Sequence, residues 1–218
     1  MIHIFAMKAT GQDYTLPRWT PYLSDRRRIE AEQRKNQKER RLYLAAEILL
    51  NRSLEKVGAG LTLPAVYERN AHGKPYLTPS DGYFVNWSHS GEYVVCAVSD
   101  REVGIDLQRM DREPAKSLIK KTLQPEEWCC YESVPESERT RLFYRYWTVK
   151  ESYLKALGTG FHTSLQTFYV RMDDGQPEII QRIEGKHYVC QILNFSDNQY
   201  VAAVCCEKIE RNIVIEYF

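Results

Sequence analysis

Four short stretches carry side chains able to do chemistry. The first is Val103-Gly104-Ile105-Asp106-Leu107-Gln108. Strand side chains alternate, so Val103, Ile105 and Leu107 face one way and Gly104, Asp106 and Gln108 the other. An Asp and an amide two residues apart, beside a glycine that leaves room, suit a hard cation such as Mg2+, which keeps waters and substrate phosphate for its remaining positions. The plainer reading is an edge strand with a polar outer face. In the second stretch, a helical reading of Phe143 to Leu157 puts Phe143, Trp147, Glu151 and Leu154 on one stripe. Glu151 then lies in the middle of an apolar face, where an unpaired carboxylate needs a metal, a cation or a raised pKa. Lys155, one turn on, can pair with Glu151 or with a phosphate. An ordinary ion pair at the rim of a core helix competes with that reading.

The third stretch is a strand, Phe84 to Trp87, running into Ser88-His89-Ser90-Gly91. Its imidazole, hydroxyls and backbone N–H groups can hold a phosphate oxygen, although a lone His is more often a structural hydrogen-bonder. The fourth is His72-Gly73-Lys74-Pro75, a rigidly framed lysine that can meet a nucleotide or can simply sit in a turn. No G-x-x-x-x-G-K-[ST], no G-x-G-x-x-G and no Ser/His/Asp set is written here. Gly158-Thr159-Gly160 follows a helix, whereas a phosphate-cradling loop precedes one.

These residues need elements to hold them. Residues 25 to 51 contain no Gly or Pro, follow Ser24-Asp25 as helix caps and read as one or two helices, solvated first and packed later. Dense Gly and Pro from Gly58 to Pro79 mark loops and short strands. Runs at Tyr83–Ser88, Tyr93–Ser99 and Val103–Gln108 read as a three-stranded meander. Helices follow at Ala115–Lys121, Pro125–Ser133 and Glu138–Leu157, the last stopped by Gly158. Strand-like runs at Thr167–Met172, Glu178–Ile183, His187–Leu193 and Tyr200–Cys206 complete the chain, with a tight turn at Asp173-Asp174-Gly175. The expected fold is α+β: two similar halves, 1–102 and 103–218, each a small antiparallel sheet packed with helices.

The whole chain has 218 residues and a net charge of +1, but Arg26 to Arg41 holds eight basic against three acidic residues. That +5 segment suits a phosphate or an acidic partner, or is merely a hydrated helix face. A nucleic-acid module is the rival class. The confinement of charge to one segment, a pI near 7.6 and the lack of a recognised motif argue against it. No run approaches the ~18 to 20 uncharged residues that span a bilayer, and Met1 to Lys8 lacks a secretory layout, so a cytosolic protein is expected. The six cysteines form no C-x-x-C and read as reduced thiols, mostly packed as small hydrophobes.

Taken in order, His72-Gly73-Lys74-Pro75, Asn86-Trp87-Ser88-His89-Ser90, Gly104-Ile105-Asp106 and the W-x-x-K-E-x-x-x-K block from Trp147 to Lys155 resemble the 4'-phosphopantetheinyl transferase superfamily, in its Sfp-type branch of monomeric pseudo-dimers. The resemblance implies two α/β halves related by a pseudo-twofold. It also implies Mg2+-dependent transfer of phosphopantetheine from coenzyme A to a serine of an apo acyl or peptidyl carrier protein, with no nucleic acid or membrane involved. Asp106 and Glu151 would bind Mg2+. Lys155 would lie at the pyrophosphate, Ser88 and His89 at coenzyme A phosphates, Gly73, Lys74 and Pro75 at the adenine, and Arg27 at the 3'-phosphate. Glu127 would lie near the site. Gln108 departs from the pattern, since many members of the branch carry an acid there; it would ligate Mg2+ through its carbonyl or a water. A coenzyme A-binding protein with decayed catalysis is the alternative that this departure raises.

Overall fold

The computed structural model describes residues 1–160, 163–173, 176–181, 187–209 and 213–218. Its framework is two sheets, face to face, with one long helix outside each. Strand β1 (Ile2–Lys8) is buried on both faces over Ile4 to Met7. It pairs antiparallel with β5 (Tyr93–Ser99), which pairs with β4 (Phe84–Ser90). The last strand, β11 (Ile215–Tyr217), lies parallel to β1, so the order is β11-β1-β5-β4. The second sheet runs β6-β10-β9, from Val103–Arg109, Tyr200–Cys206 and Val189–Leu193. Two short hairpins stand apart: β2 (Tyr67–Arg69) with β3 (Pro75–Leu77), and β7 (Phe168–Asp173) with β8 (Gln176–Gln181).

The expected meander does not form: β5 gives its second edge to β1, and β6 leaves to pair with β10. The reason is burial. Val103 to Leu107 are buried on both faces of β6, so this strand needs a cover on each side rather than one wet face. Val103, Ile105 and Leu107 meet Ile4, Ala6, Val95 and Ala97 between the sheets. The other side of the second sheet takes α5 (Glu136–Leu157) through Val149, Tyr153, Ala203 and Cys205. The outer face of the first sheet takes α2 (Gln37–Lys56) through Ala45, Ile48 and Leu49 against Phe5, Val94 and Cys96.

The basic stretch forms two helices, α1 (Asp25–Glu32) and α2. Ser24 caps the first, and Asn36 Oδ1, accepting from the Lys38 amide at 2.8 Å, starts the second. Helices α3 (Lys116–Thr122) and α4 (Pro125–Ser133) flank α5, which ends in Gly158 at φ 73°. The starts after Ser24 and at Pro125 and the stop at Gly158 fall where expected, while α2 runs on past residue 51 to Lys56 and α5 begins at Glu136 rather than Glu138; the turn at Asp174-Gly175 and the end of the run at Ile183 lie outside the described residues. Cys96, Cys190, Cys205 and Cys206 are buried free thiols, and Cys129 and Cys130 are exposed. Among the described residues, no helix is long and apolar enough to cross a membrane.

The space beside Gly104 is filled by the protein itself. A Cβ there would run into the Ser152 carbonyl and the Ala156 amide, so the glycine lets the backbone of α5 lie directly on β6. Gly104→Ala should cost about 2–3 kcal/mol in urea unfolding, because the helix backbone cannot repack like a side chain. A change below about 0.5 kcal/mol would show that this contact does not hold α5 in place.

Candidate active site

The site lies where the edge strands β4 and β6 of the two sheets meet. Asn86, Ser88 and Ser90 recur at the two-residue period of β4 and turn one face towards β6. Asn86 Oδ1 accepts from the Ile105 amide at 3.0 Å, and Ser90 Oγ accepts from the Arg109 amide at 2.9 Å, so side chains satisfy the open edge of β6. Between them Ser88 Oγ donates to Asp106 Oδ1 at 2.8 Å.

Asp106 is 2% exposed, so β6, although an edge strand, does not turn its polar face outward to solvent. Lys155 Nζ donates to its Oδ1 at 2.6 Å and to the Ile105 carbonyl at 3.1 Å. Gln108 Nε2 donates to its Oδ2 at 3.0 Å. Lys155 thus pairs with the carboxylate on the strand rather than with Glu151 on its own helix. Glu151 is 8% exposed, and its Oε1 is buried without a hydrogen-bond partner. Burial, then the charge of Asp106, push its carboxyl up to a pKa of about 7, with Lys155 pulling the other way. Fully ionised, the two carboxylates and one ammonium leave one negative charge unbalanced. An orphaned carboxylate oxygen beside a second carboxylate fits a hard cation such as Mg2+. Among the described residues, no cluster of three or more His, Cys, Asp or Glu is arranged to hold a metal.

Glu151 and Lys155 line a cavity of about 260 Å3, with the segment Gly73 to Pro75, Trp87 and Arg69 on its other wall. Lys74 contributes its stem, while its ammonium turns inward to Glu102 and to the Ala156 carbonyl, the latter at 2.6 Å. Arg69 also borders a second cavity, of about 610 Å3, among Arg26, Arg27, Arg34, Tyr43 and Tyr67. Arg27 is buried in the half of the basic segment expected to be solvated. Its Nε donates to the Tyr43 carbonyl at 2.9 Å, and its guanidinium lies 3.3 Å from the centroid of the Tyr43 ring. Arg34 stacks on that ring at 3.8 Å. His89 keeps an exposed side. Crowding of its ring lowers its pKa, as do Lys155 and Arg27, while Asp106 opposes them, so the imidazole is within electrostatic reach of both cavities.

A family model described as the 4'-phosphopantetheinyl transferase superfamily matches residues 102–205, from β6 to β10. Over that stretch, just under half of its length, the chain is similar to the 4'-phosphopantetheinyl transferase superfamily. It is 33% identical over 146 residues to a 4'-phosphopantetheinyl transferase of Bacillus subtilis, covering 64% of each chain. It is 28% identical over 190 residues to 4'-phosphopantetheinyl transferase psf-1 of Bacillus pumilus, covering 86% of this chain and 80% of that one. The matched stretch therefore spans just under two thirds of the first relative. A holo-(acyl-carrier-protein) synthase from Bacillus anthracis, solved in complex with CoA (3',5'-ADP), superimposes at a TM-score of 0.42 and 25% identity, covering 48% of this chain and 92% of that one.

Asp106, Gln108, Glu151, Lys155 and Ser88 converge, and His89 lies within electrostatic reach of Asp106 and Lys155. Gly73, Lys74 and Pro75 form the facing wall, and Arg27 belongs to the second cavity. Glu127 is not among them. It is buried against Lys150 at 2.7 Å and accepts the Gln124 and Val170 amides at 2.7 Å each, which ties α4 and β7 to α5. Sequence reasoning quoted Asn86 and Ser90 within a motif and counted Arg34 in the basic segment, but did not foresee that Asn86 and Ser90 close the edge of β6 or that Arg34 stacks on Tyr43. It missed Arg69, Glu102 and Asn70, which carry no local pattern.

The raised carboxyl of Glu151 has a measurable sign. The folded state binds its proton more tightly than the unfolded chain, so the cost of the ionised group is absent below about pH 4.5, grows through the interval to about 7 and is complete above it. In metal-free buffer with chelator, Glu151→Gln should stabilise the protein by about 3 kcal/mol at pH 8 and by nothing measurable near pH 4.5. Thermal melts at both pH values check this; equal gains at both would contradict it.

Proposed function

We propose that this chain transfers the 4'-phosphopantetheine group of coenzyme A to a serine hydroxyl of an apo acyl or peptidyl carrier protein, releasing 3',5'-ADP. The observation that carries the reading is the Asp106, Lys155 and Glu151 cluster, of which Lys155 and Glu151 line one cavity while Arg69 borders both that cavity and an arginine-lined one. The similarity to 4'-phosphopantetheinyl transferases of Bacillus subtilis and Bacillus pumilus supports it.

Coenzyme A brings a pyrophosphate and a 3'-phosphate, so most of the catalytic work is neutralisation and positioning. Arg27, with Arg34 on the same tyrosine ring, takes the 3'-phosphate. Gly73, Lys74 and Pro75 border the base. Lys155, His89 and Ser88 face the pyrophosphate. The serine oxygen bonds to the phosphorus that carries pantetheine, the anhydride P–O bond breaks, and its electron pair leaves with 3',5'-ADP. Glu151 accepts the serine proton, directly or through a water. Mg2+ would be held by Asp106 and Glu151, with Gln108 ligating it through its carbonyl or a water, and would supply further charge neutralisation. Gln108 also keeps Asp106 oriented through its amide. The +5 segment steers the acidic carrier towards the site. The protein works as a monomer in the cytosol, without nucleic acid or membrane.

Incubation with coenzyme A, Mg2+ and apo carriers from fatty-acid, polyketide and peptide systems, followed by intact mass, should show one phosphopantetheine added per carrier. Asp106→Ala should reduce the rate at least about 100-fold. Coenzyme A binding with no mass gain on any carrier would overturn the transferase reading. Gln108→Glu should lower the Mg2+ concentration for half-maximal rate while leaving turnover within about tenfold. A rise from near-zero turnover would identify a decayed site instead.

A further inference from the structure

Helix α5 carries Glu151 and Lys155, yet its last turn is held by the loop before β3, from the other side of the seam. A helix ends with carbonyl groups that have no intrahelical partner. At this end two of them are met by 70–74: Asn70 Nδ2 donates to the Gly158 carbonyl at 2.9 Å, and Lys74 Nζ donates to that of Ala156 at 2.6 Å. Asn70 also shapes the loop that delivers both donors. Its Oδ1 accepts the His72 and Lys74 amides at 2.9 Å each, and its backbone amide donates to the Lys74 carbonyl at 3.0 Å. Lys74 is 6% exposed and paired with Glu102, immediately before β6. A side chain at Gly158 would press on Lys74 and Asn70, so the two segments are in contact.

We propose that Asn70 is a positioning residue for transfer: with Lys74 it clamps the end of α5 and so keeps Lys155 on Asp106. This deepens the transferase reading and rests on it. Lys74 serves the helix and Glu102 with its charge, and an occupant of the cavity meets its stem. A cation and an amide donor at a helix C-terminus also oppose the negative end of the helix dipole. Lys155 is three residues from the capped glycine, so fraying of that turn would free it directly.

The isosteric Asn70→Asp tests this. It keeps the oxygen that receives the His72 and Lys74 amides and removes the donor to Gly158. Hydrogen exchange on the resting protein, which does not depend on the reaction assigned, should show faster exchange at the amides of residues 155–158 while the sheets stay protected. In the transfer assay kcat should fall about tenfold or more, with the coenzyme A Kd by calorimetry within about threefold of the parent. In a Lys155→Ala background Asn70→Asp should add no further loss, because both changes act through one group. Asn70→Gln, which keeps the donor on a longer stem, should restore part of the protection. Unchanged exchange at 155–158, additive losses, or a tenfold weaker Kd at unchanged kcat would each overturn the clamp. Failure of the parent protein to modify any carrier while exchange still responds would instead remove the transferase reading and leave the clamp standing.

Discussion

One buried carboxylate organises this molecule. Asp106 is almost sealed from solvent, and an ionised group there is tolerated only if its oxygens are met. Three partners from three places meet them: Ser88 from β4, Lys155 from α5 and Gln108 from its own strand. Satisfying one side chain therefore fixes the seam between the sheets and the seating of the long helix. Glu151 is then left with an orphaned oxygen beside that charge, and its carboxyl is pushed up to a pKa of about 7.

The backbone makes this cluster geometrically feasible. Gly104 removes the one atom that would hold α5 away from β6, and the hydroxyl and amide side chains of β4 close an edge that a ladder strand would otherwise occupy. Lys150, wholly buried, bonds Glu127 and the carbonyls of Thr122 and Leu165, so the same helix is anchored on a second side. Adjacent residues of one motif thus do different work: Lys150 holds the helix in the core, and Glu151 faces the cavity.

Much of this was legible along the chain. The alternation in Val103 to Gln108 separates the core residues from Asp106, and the spacing from Phe143 to Leu154 places Glu151 on an apolar face, because both depend on local periodicity alone. The family resemblance rested on four motifs; of the residues it implied, Asp106, Gln108 and Lys155 lie together with Ser88, while Glu127 is buried elsewhere against Lys150 and Arg27 lines the second cavity. What misled was pairing. Three consecutive strand-like runs invite a meander, yet β1 and β10, remote in sequence, take the edges of β5 and β6, which splits the runs into two sheets that bury each other's inner faces while α2 and α5 cover the outer ones. Arg27 looked solvated for a similar reason: its burial depends on Tyr43 and Tyr67, which no helical period relates to it.

Residue types and their periods were enough to specify which side chains are helical or extended, where the caps fall and which oxygens sit on which face, since these follow from backbone geometry within a few residues. Folding in three dimensions decided that Lys155 joins Asp106 rather than Glu151, that Lys74 spends its charge on Glu102 and a helix end, and that Asn70 reaches Gly158. Those choices are settled by distance and desolvation between segments tens of residues apart, and neither quantity is written in any local stretch of chain.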